Sequence, residues 1–223
     1  MPRPARSVLV DLDGTLTDSR PGIIASYHAA LRLLGHAPDP AVDLTFVIGP
    51  TPETAMARVL APYGDDRIAE AVHAYRDYYG REAIFDAFVY DGIPDALDAL
   101  RETGAALYLA TAKRTVFARR VLDHFGLAGR FAGIYGSEPG GAFDHKSDLI
   151  RHVLATEAIP PDSAVMVGDR EHDVSGARAN GIPVIGALWG YGGRAELEAA
   201  GARHFAGAPA ELPRAVDTAH AER

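Results

Sequence analysis

Two aspartates stand two residues apart directly after a short apolar run, a spacing that would let their carboxylates act together in a catalytic or metal site. Val8 to Val10 is typical of a strand buried on both faces of a parallel sheet, and Asp11 and Asp13 follow where it ends. Gly14 lets the backbone turn, so both carboxylates can face the same side. Paired acids need a cation or a shared proton to relieve their repulsion. A solvated acidic turn is the simpler interpretation, but two acids directly after a buried run would be an awkward choice for structure alone.

Further polar side chains stand after later apolar runs or at the start of a helix. They are Thr111 and Lys113 after one run, Asp169 and Asp173 after another, and Lys146 at a helix start. If the strands are parallel, their carboxyl ends meet along one edge, which is where ligands bind in open α/β sheets. Carboxylates, a hydroxyl and ammonium groups would then converge. This set favours an oxygen-preferring cation such as Mg²⁺ beside a phosphate group.

The basic residues of this chain are almost all arginine. Of its 22 lysines and arginines, only Lys113 and Lys146 are lysine. A coding bias toward arginine explains the excess, but it does not explain why two lysines remain. An ammonium is a compact point charge and a guanidinium is a planar fork, so a site that needs a single donor would resist replacement. Both lysines are therefore candidate site residues.

Composition bounds the class of protein. The chain has 223 residues, of which 48% are hydrophobic, and its formal net charge is -8. This length predicts one large domain or a domain with a smaller one inserted. An acidic chain is not expected to bind nucleic acid or an anionic membrane as its main partner. The sequence has no cysteine, so thiol chemistry is excluded, and the first apolar run is too short for a secretory signal, so we expect a cytoplasmic protein.

Strand and helix patterns alternate over most of the chain. Apolar runs predict strands at 8–10, 106–110, 134–135, 164–167, 184–187 and 204–205. Helical patterns lie between them, including one over 175–180, and the polar tail after Val216 is expected to fray. The predicted fold class is α/β, with a doubly wound parallel sheet as a Rossmann-like core.

One long stretch interrupts this alternation. No buried strand is predicted between Thr17 and Phe88, and the apolar spacing there predicts three helices. We therefore assign residues 1–16 and 89–223 to an α/β catalytic core and residues 17–88 to an inserted α-helical cap domain. The aromatic residues near the end of this stretch favour helix packing over a substrate pocket. They are Tyr75, Tyr78, Tyr79, Phe85 and Phe88.

The polar residues at the strand ends form four motifs that resemble those of the haloacid dehalogenase-like hydrolases. Within that family, the chain is similar to the phosphoglycolate phosphatase-like group, which has a helical cap inserted after the first strand. The family's D-x-D-G-T-L corresponds to Asp11 to Leu16, its threonine or serine to Thr111, its lysine to Lys146, and its G-D-x-x-x-D to Gly168, Asp169 and Asp173. The likeness extends along nearly all of the chain. Four motifs in order, each at a strand end or a helix start, make the resemblance specific.

The resemblance implies roles for the aspartates. Asp11 would attack phosphorus and form an aspartyl-phosphate. Asp13 would protonate the leaving oxygen and later take a proton from water. Mg²⁺ would be held by Asp11, the main-chain carbonyl of Asp13, and Asp169, with Asp173 in or just behind that shell.

The resemblance also implies which groups hold the phosphate. Thr111, the backbone donor at Ala112, and Lys146 would bind the phosphoryl oxygens and stabilise charge in the transition state. Ala112 stands where many relatives carry Ser or Asn, which keeps the backbone donor but removes a side-chain hydrogen bond. The role of Lys113 stays open between a site residue and an exposed lysine at the start of a helix.

A glycine-rich segment near the end of the chain also matches a pattern for binding a dinucleotide. Gly190, Gly192 and Ala195 satisfy the G-x-G-x-x-A pattern of dinucleotide-binding folds. The match comes late in the chain, after the fifth predicted strand, whereas dinucleotide-binding folds carry this pattern at their first strand-to-helix turn. A nucleotide cofactor is therefore not predicted.

The predicted activity is Mg²⁺-dependent hydrolysis of small phosphomonoesters, similar to that of the phosphoglycolate phosphatases. A 5'-nucleotidase-like phosphatase and a β-phosphoglucomutase-like phosphomutase remain open, and the filled motif positions disfavour a non-catalytic phosphate-binding protein. No basic residue follows the segment 48–50 until Arg58, which weakens phosphoglycolate as the specific substrate. The expected partner is a small phosphorylated metabolite, with no nucleic acid and no membrane. The expected assembly is a monomer or a homodimer.

Overall fold

The computed structural model describes residues 6–141 and 143–222 and divides the chain into two compact units. One unit runs to Thr17 and resumes at Val89, and the other spans Asp18–Phe88. The division drawn from the sequence differs by one residue, because it places Thr17 in the helical segment. In the part of the chain that is described, every helix is too short or too polar to cross a bilayer.

The smaller unit is helical. It contains α1 (Arg20–Leu33), α2 (Pro52–Leu60) and α3 (Ile68–Tyr78), followed by a π-helical turn at Tyr79–Ala83. Thr51 is the N-cap of α2, and its hydroxyl accepts a hydrogen bond from the Thr54 N–H at 3.4 Å. Proline at the first helical position removes an N–H that would have no partner in the helix, so this local sequence favours a helix start here.

The aromatic residues of the helical unit divide into a packed pair and an exposed group. The Tyr75 ring lies 4.6 Å from that of Tyr27 and stacks on that of Tyr79 at 5.9 Å. Helix packing is therefore confirmed for Tyr75 and Tyr79, which are 8% and 2% exposed. The other three aromatic residues of that set are exposed, namely Tyr78, Phe85 and Phe88.

A cavity of about 330 Å³ lies within the helical unit, and most of its lining is apolar. Arg58 and Phe46 are among its lining residues, and the Arg58 guanidinium stacks over the Phe46 ring at 3.8 Å from the ring centroid. This cation–π contact engages the first basic residue that follows the segment 48–50.

The larger unit is built on a six-stranded parallel sheet. Its strands are β1 (Ser7–Val10), β4 (Ala106–Arg114), β5 (Gly133–Ser137), β6 (Ala164–Gly168), β7 (Val184–Ala187) and β8 (His204–Ala206), whereas β2 (Thr17–Asp18) and β3 (Phe88–Val89) form a separate two-stranded sheet. The strand order is β5-β4-β1-β6-β7-β8. Within this sheet it corresponds to 3-2-1-4-5-6, the order of a Rossmann fold. The predicted α/β class with a doubly wound parallel sheet is confirmed.

Helices connect these strands and cover the sheet. They are α4 (Ile93–Glu102), α5 (Thr115–His124), α6 (Lys146–Thr156), α7 (Glu171–Ala179), α8 (Arg194–Ala200) and α9 (Leu212–Ala221). Leu9 and Met166 share one buried cluster with Leu149 and Val153 of α6 and Val174 of α7. Every residue of β1 and β6 is buried, as expected for strands that are covered on both faces.

The register of the central strands brings three chain segments to one edge of the sheet. Val10, the last residue of β1, pairs with Leu109 of β4 on one side and with Val167 of β6 on the other. The order of the strands reverses at β1, and ligands bind at such a point in open α/β sheets. Side chains that follow β1 and β6 therefore start from neighbouring positions.

Two features of the C-terminal third differ from the sequence prediction. The helix predicted from residue 175 begins at Glu171, where the Asp173 carboxylate accepts a hydrogen bond of 3.2 Å from the Arg170 N–H. The expectation that the tail frays after Val216 is wrong, because α9 continues to Ala221. Val216 and Ala219 anchor this helix, with exposed fractions of 2% and 1%.

Candidate active site

The ends of two neighbouring strands bring three aspartates together. Asp11 follows β1 directly, Asp169 follows β6, and Asp173 lies in the first turn of α7. One carboxylate oxygen of each residue lies within 4.8 Å of those of the others, and all three residues are buried. We refer to Asp11, Asp169 and Asp173 as the carboxylate cluster.

Lys146 brings positive charge to the carboxylate cluster. It is 8% exposed, and its ammonium lies 2.9 Å from Asp11 Oδ1 and 2.8 Å from Asp173 Oδ1. The ammonium also donates a hydrogen bond of 2.8 Å to the carbonyl oxygen of Ala110 in β4. Gly176 of α7 permits this approach, since a Cβ there would lie 2.9 Å from Lys146 Cγ. The position of the ammonium is thus fixed by contacts to several elements.

Burial and mutual repulsion dominate the electrostatics of the cluster. Burial raises the pKa of Asp11 from 3.8 to about 6, and although Lys146 opposes this rise, the charge of Asp173 adds to it. Burial also raises the pKa of Asp169 well above its usual range, and the charges of the other two aspartates reinforce the effect. Burial disfavours the charged form of Lys146, but the two adjacent carboxylates outweigh burial and raise its pKa. The ammonium therefore stays protonated at neutral pH.

The chemistry of the cluster fits a hard cation. Asp11 Oδ1 and Asp173 Oδ1 are buried and lie 2.9 and 2.8 Å from the Lys146 ammonium, which is the one cation that faces both of them among the described residues. Three carboxylates around this ammonium leave an excess of negative charge. Oxygen donors alone suit Mg²⁺ or Ca²⁺ better than the metals that prefer nitrogen or sulfur. The residues present are therefore able to hold such an ion.

Asp169 is held from two directions. The Thr15 hydroxyl donates a hydrogen bond of 3.1 Å to Oδ1, and the Tyr191 N–H donates one of 2.8 Å to Oδ2. Two glycines approach closely: a Cβ at Gly14, where φ is +88°, would lie 2.2 Å from Asp169 Oδ2, and a Cβ at Gly192 would lie 2.0 Å from the main-chain oxygen of Asp169. A side chain at either position would displace the aspartate.

The glycine-rich segment after β7 has a packing role in this arrangement. A Cβ at Gly190 would lie 2.3 Å from Asp169 Cβ. In the same segment the Trp189 indole N–H donates a hydrogen bond of 2.9 Å to the carbonyl oxygen of Thr15. Close packing around Asp169 therefore accounts for Gly190 and Gly192 without a nucleotide.

The Asp13 carboxylate lies outside the carboxylate cluster and pairs with Lys113. The Lys113 ammonium donates a hydrogen bond of 2.7 Å to Asp13 Oδ1, and the side chains of Lys113 and Asp13 are 7% and 13% exposed. Of the two interpretations of Lys113, an exposed lysine at a helix start is therefore wrong. The main-chain carbonyl of Asp13 remains the atom predicted to hold the metal.

Thr111 and Ala112 lie in the irregular last part of β4, whose register shifts between Ala110 and Arg114. Thr111 is 1% exposed, and its Oγ1 accepts a hydrogen bond of 3.3 Å from the Lys113 N–H. Ala112 is partly exposed. Both residues stand at the edge where the sequence predicts them, and their contact with phosphate stays a prediction.

Sequence reasoning missed the groups that support Asp169. Thr15 belongs to the first motif, but its position in the sequence assigns it no role, and nothing in the sequence singles out the main-chain N–H of Tyr191. The hydrogen bonds from these residues span 154 and 22 positions of the chain, so no local spacing reveals them. The one sequence signal for this packing is the pair Gly190 and Gly192, but their spacing also matches the pattern of dinucleotide-binding folds.

Known proteins resemble this chain along most of its length. The family model for haloacid dehalogenase-like hydrolases matches residues 8–187. A 5'-nucleotidase of Pseudomonas aeruginosa is 40% identical over 95% of this chain and 96% of that protein. The tyrosine-protein kinase PtkA of Mycobacterium tuberculosis is 43% identical over 83% of this chain and 62% of that protein. A phosphoglycolate phosphatase of Aquifex aeolicus is 32% identical over 83% of this chain and 86% of that protein.

A solved structure supports the same relationship. The crystal structure of a predicted phosphatase from Clostridium acetobutylicum has a TM-score of 0.89 and 38% identity, and the match covers 96% of this chain and 99% of that chain. The family match includes the whole range from Asp11 to Asp173, which holds the predicted site residues. The chain therefore belongs to the haloacid dehalogenase-like hydrolases, as its motifs predict.

Proposed function

We propose that this protein is a Mg²⁺-dependent phosphatase that hydrolyses small phosphomonoesters through an aspartyl-phosphate on Asp11. The proposal rests on one observation: the buried Asp11 carboxylate lies 2.9 Å from the Lys146 ammonium, inside the carboxylate cluster. An ammonium beside a nucleophilic carboxylate attracts a phosphoryl group and offsets the charge repulsion that would otherwise keep the two apart. Relatives named phosphatase and nucleotidase support the same chemistry.

In the first step Asp11 attacks phosphorus, and the bond from phosphorus to the leaving oxygen breaks. The leaving oxygen keeps the bonding electron pair and takes a proton from Asp13, so the product departs as an alcohol. Thr111, the N–H of Ala112, and Lys146 hold the phosphoryl oxygens while charge develops on them. The phosphoryl group remains bound to Asp11.

In the second step water attacks the phosphorus of the aspartyl-phosphate. Asp13, now a carboxylate, takes a proton from this water, and the bond between phosphorus and Asp11 breaks. Inorganic phosphate leaves, and the Asp11 carboxylate is restored. The covalent route thereby divides one slow displacement into two easier ones.

The carboxylate cluster and the main-chain carbonyl of Asp13 are the groups that would hold Mg²⁺. When bound, this ion supplies positive charge that offsets the repulsion between Asp11 and a phosphate dianion. The excess negative charge of the cluster and the oxygen-only donor set support this assignment.

Nucleoside 5'-monophosphates are the second candidate for the substrate, beside phosphoglycolate and sugar phosphates. The 5'-nucleotidase of Pseudomonas aeruginosa matches nearly the whole chain, which favours them. Arg58 is the first basic residue after the segment 48–50, and its guanidinium is stacked on Phe46, which gives no support to a pocket specific for a carboxylate.

The test is a panel of phosphorylated metabolites assayed for phosphate release with and without Mg²⁺ and ranked by kcat/KM. We expect Mg²⁺-dependent release, lowered about 10³-fold or more in the Asp11→Asn variant. Asp148→Asn, which changes an exposed carboxylate on α6, is the matched control and should release phosphate like the wild type. Retained activity in Asp11→Asn would contradict the nucleophile assignment. Isomerised sugar phosphate without free phosphate would indicate a phosphomutase, and transfer from ATP to a tyrosine peptide would indicate a kinase.

A further inference from the structure

The two lysines of the chain each pair with one aspartate of the first motif. Lys146 lies 2.9 Å from Asp11, and Lys113 donates a hydrogen bond to Asp13 at 2.7 Å. The remaining members of the 22 lysines and arginines are all arginine. An ammonium therefore stands beside both acids of the motif in a chain that otherwise uses guanidinium groups. The role of Lys146 follows from its place in the cluster, but Lys113 belongs to none of the four motifs.

The contact between Lys113 and Asp13 is largely buried, and hydrogen bonds hold the backbone around Lys113. The two side chains are 7% and 13% exposed, and the residues are 100 positions apart in the chain. Lys113 lies in the irregular last part of β4, which neighbours β1 in the sheet, and its own N–H is bound to Thr111 Oγ1. Exposed ion pairs contribute little because two mobile side chains must be ordered. Here the backbone of the donor is fixed, so the ammonium restricts where the carboxylate can lie.

We infer that Lys113 is a positioning residue for Asp13, an inference that rests on the proposed phosphatase activity. Its ammonium holds Oδ1 and leaves Oδ2 for the proton that passes to the leaving oxygen and is later taken from water. Oδ1 accepts a hydrogen bond whether or not Oδ2 carries a proton, so the contact persists through both steps. Arginine at this position would present a planar fork to both oxygens and cover Oδ2.

The first arm of the test compares leaving groups in Lys113→Met. An alkoxide needs a proton in order to leave, whereas p-nitrophenolate does not. For an alkyl phosphate that the wild type hydrolyses, kcat falls on the order of 30-fold with little change in KM. The first-turnover burst of p-nitrophenol stays near the wild-type rate, and later turnovers slow because water activation still uses Asp13. Arg151→Met removes a cation from an exposed ion pair on α6 and leaves all of these rates unchanged.

The second arm asks whether Lys113 acts through Asp13. In an Asp13→Asn background, Lys113→Met lowers the rate by less than about twofold, because the group that it positions is already gone. Losses that multiply in the double variant overturn the inference. A rise in KM with unchanged kcat also overturns it, because Lys113 would then be a substrate-binding residue. So does an equal loss for alkyl and aryl esters in the first turnover.

The third arm does not depend on activity. Crystal structures of the wild type and Lys113→Met show the Asp13 carboxylate displaced or disordered in the variant, and an unmoved Asp13 overturns the inference. If Lys113→Met does not fold, Lys113→Arg takes its place. In that variant we expect the guanidinium to contact both Asp13 carboxylate oxygens and the hydrolysis of the alkyl phosphate to remain slow. A wild type that releases no phosphate refutes the proposed function, and the position of Asp13 in the two crystals still decides the role of Lys113.

Discussion

Removing the charge of Asp11 is expected to stabilise the metal-free protein while it abolishes turnover. Asp11 is 6% exposed, and burial is the main reason that its pKa rises from 3.8 to about 6. A folded-state pKa above the unfolded value means that the folded protein prefers the protonated acid. Stability is therefore lost as the pH rises from about 4 through 6, and the loss levels off above that range. At about 1.36 kcal/mol per pH unit, it amounts to about 3 kcal/mol at pH 8.

Asp11→Asn keeps the size of the side chain and removes this penalty. Lys146 retains Asp173 as a partner in the variant, so no buried ammonium is left without a carboxylate. In the presence of EDTA at pH 8, the variant should be more stable than the wild type by up to about 3 kcal/mol. For a chain of this length, 3 kcal/mol corresponds to a rise in Tm of about 6 to 12 °C. At pH 4 the gap should shrink to less than about 1 kcal/mol, because Asp11 is then protonated in the folded state and only about half ionised in the unfolded chain.

The assay is thermal melting of wild type and variant from pH 4 to pH 8, first in EDTA and then in Mg²⁺. A ligand at 100 times its Kd stabilises the folded state by about 2.7 kcal/mol. Saturating Mg²⁺ should therefore raise the Tm of the wild type and remove most of its difference from the Tm of Asp11→Asn. Asp148→Asn removes an exposed charge on α6 and should show no pH-dependent gap. A variant less stable than the wild type at pH 8, or a gap that is the same at pH 4 and pH 8, would refute the reasoning.

Two further substitutions test the surroundings of the carboxylate cluster. Lys146→Met removes a buried ammonium, and we expect it to abolish phosphate release and lower the free energy of unfolding by about 3 to 5 kcal/mol in urea. Arg151→Met on the same helix, where the side chain is 65% exposed, should change stability by less than about 0.5 kcal/mol. Gly192→Ala would place a Cβ 2.0 Å from the main-chain oxygen of Asp169, and we expect a cost of about 1 to 3 kcal/mol and a weaker shift of Tm with Mg²⁺. Gly193→Ala is the control, since a Cβ there meets no atom within 4 Å, and equal effects of the two substitutions would contradict the packing argument.

The sheet could be predicted from the sequence because its strands are covered on both faces. Burial on both sides requires continuous apolar runs, and β1 and β7 have them at Val8–Val10 and Val184–Ala187, so the strands and their order along the chain are readable. The helix α9 was not predicted, because its buried face depends on a few small or isolated apolar residues. Val216 and Ala219 carry much of that burial, and alanine gives a weak signal of periodicity.

The position of the cluster could be predicted for a related reason. Residues that follow buried parallel strands reach the same edge, so the sequence positions of Asp11 and Asp169 imply that the two lie close together. The partners of individual oxygens could not be predicted. The choice of Lys113 for Asp13 depends on the irregular end of β4, and the N–H of Tyr191 carries no sequence information because every residue except proline has one.

The rigidity of the strand ends supports the proposal that this edge holds a cation. The Asp11 N–H is bound to the carbonyl oxygen of Val167 at 3.0 Å, and Val10 is paired on both sides within the sheet. The backbone therefore resists separation of the carboxylates in response to their repulsion, and the buried surroundings weaken screening by water. A proton or a cation is what relieves the repulsion under these conditions. Carboxylates on a mobile loop would move apart instead and would bind a cation with less preorganisation and lower affinity.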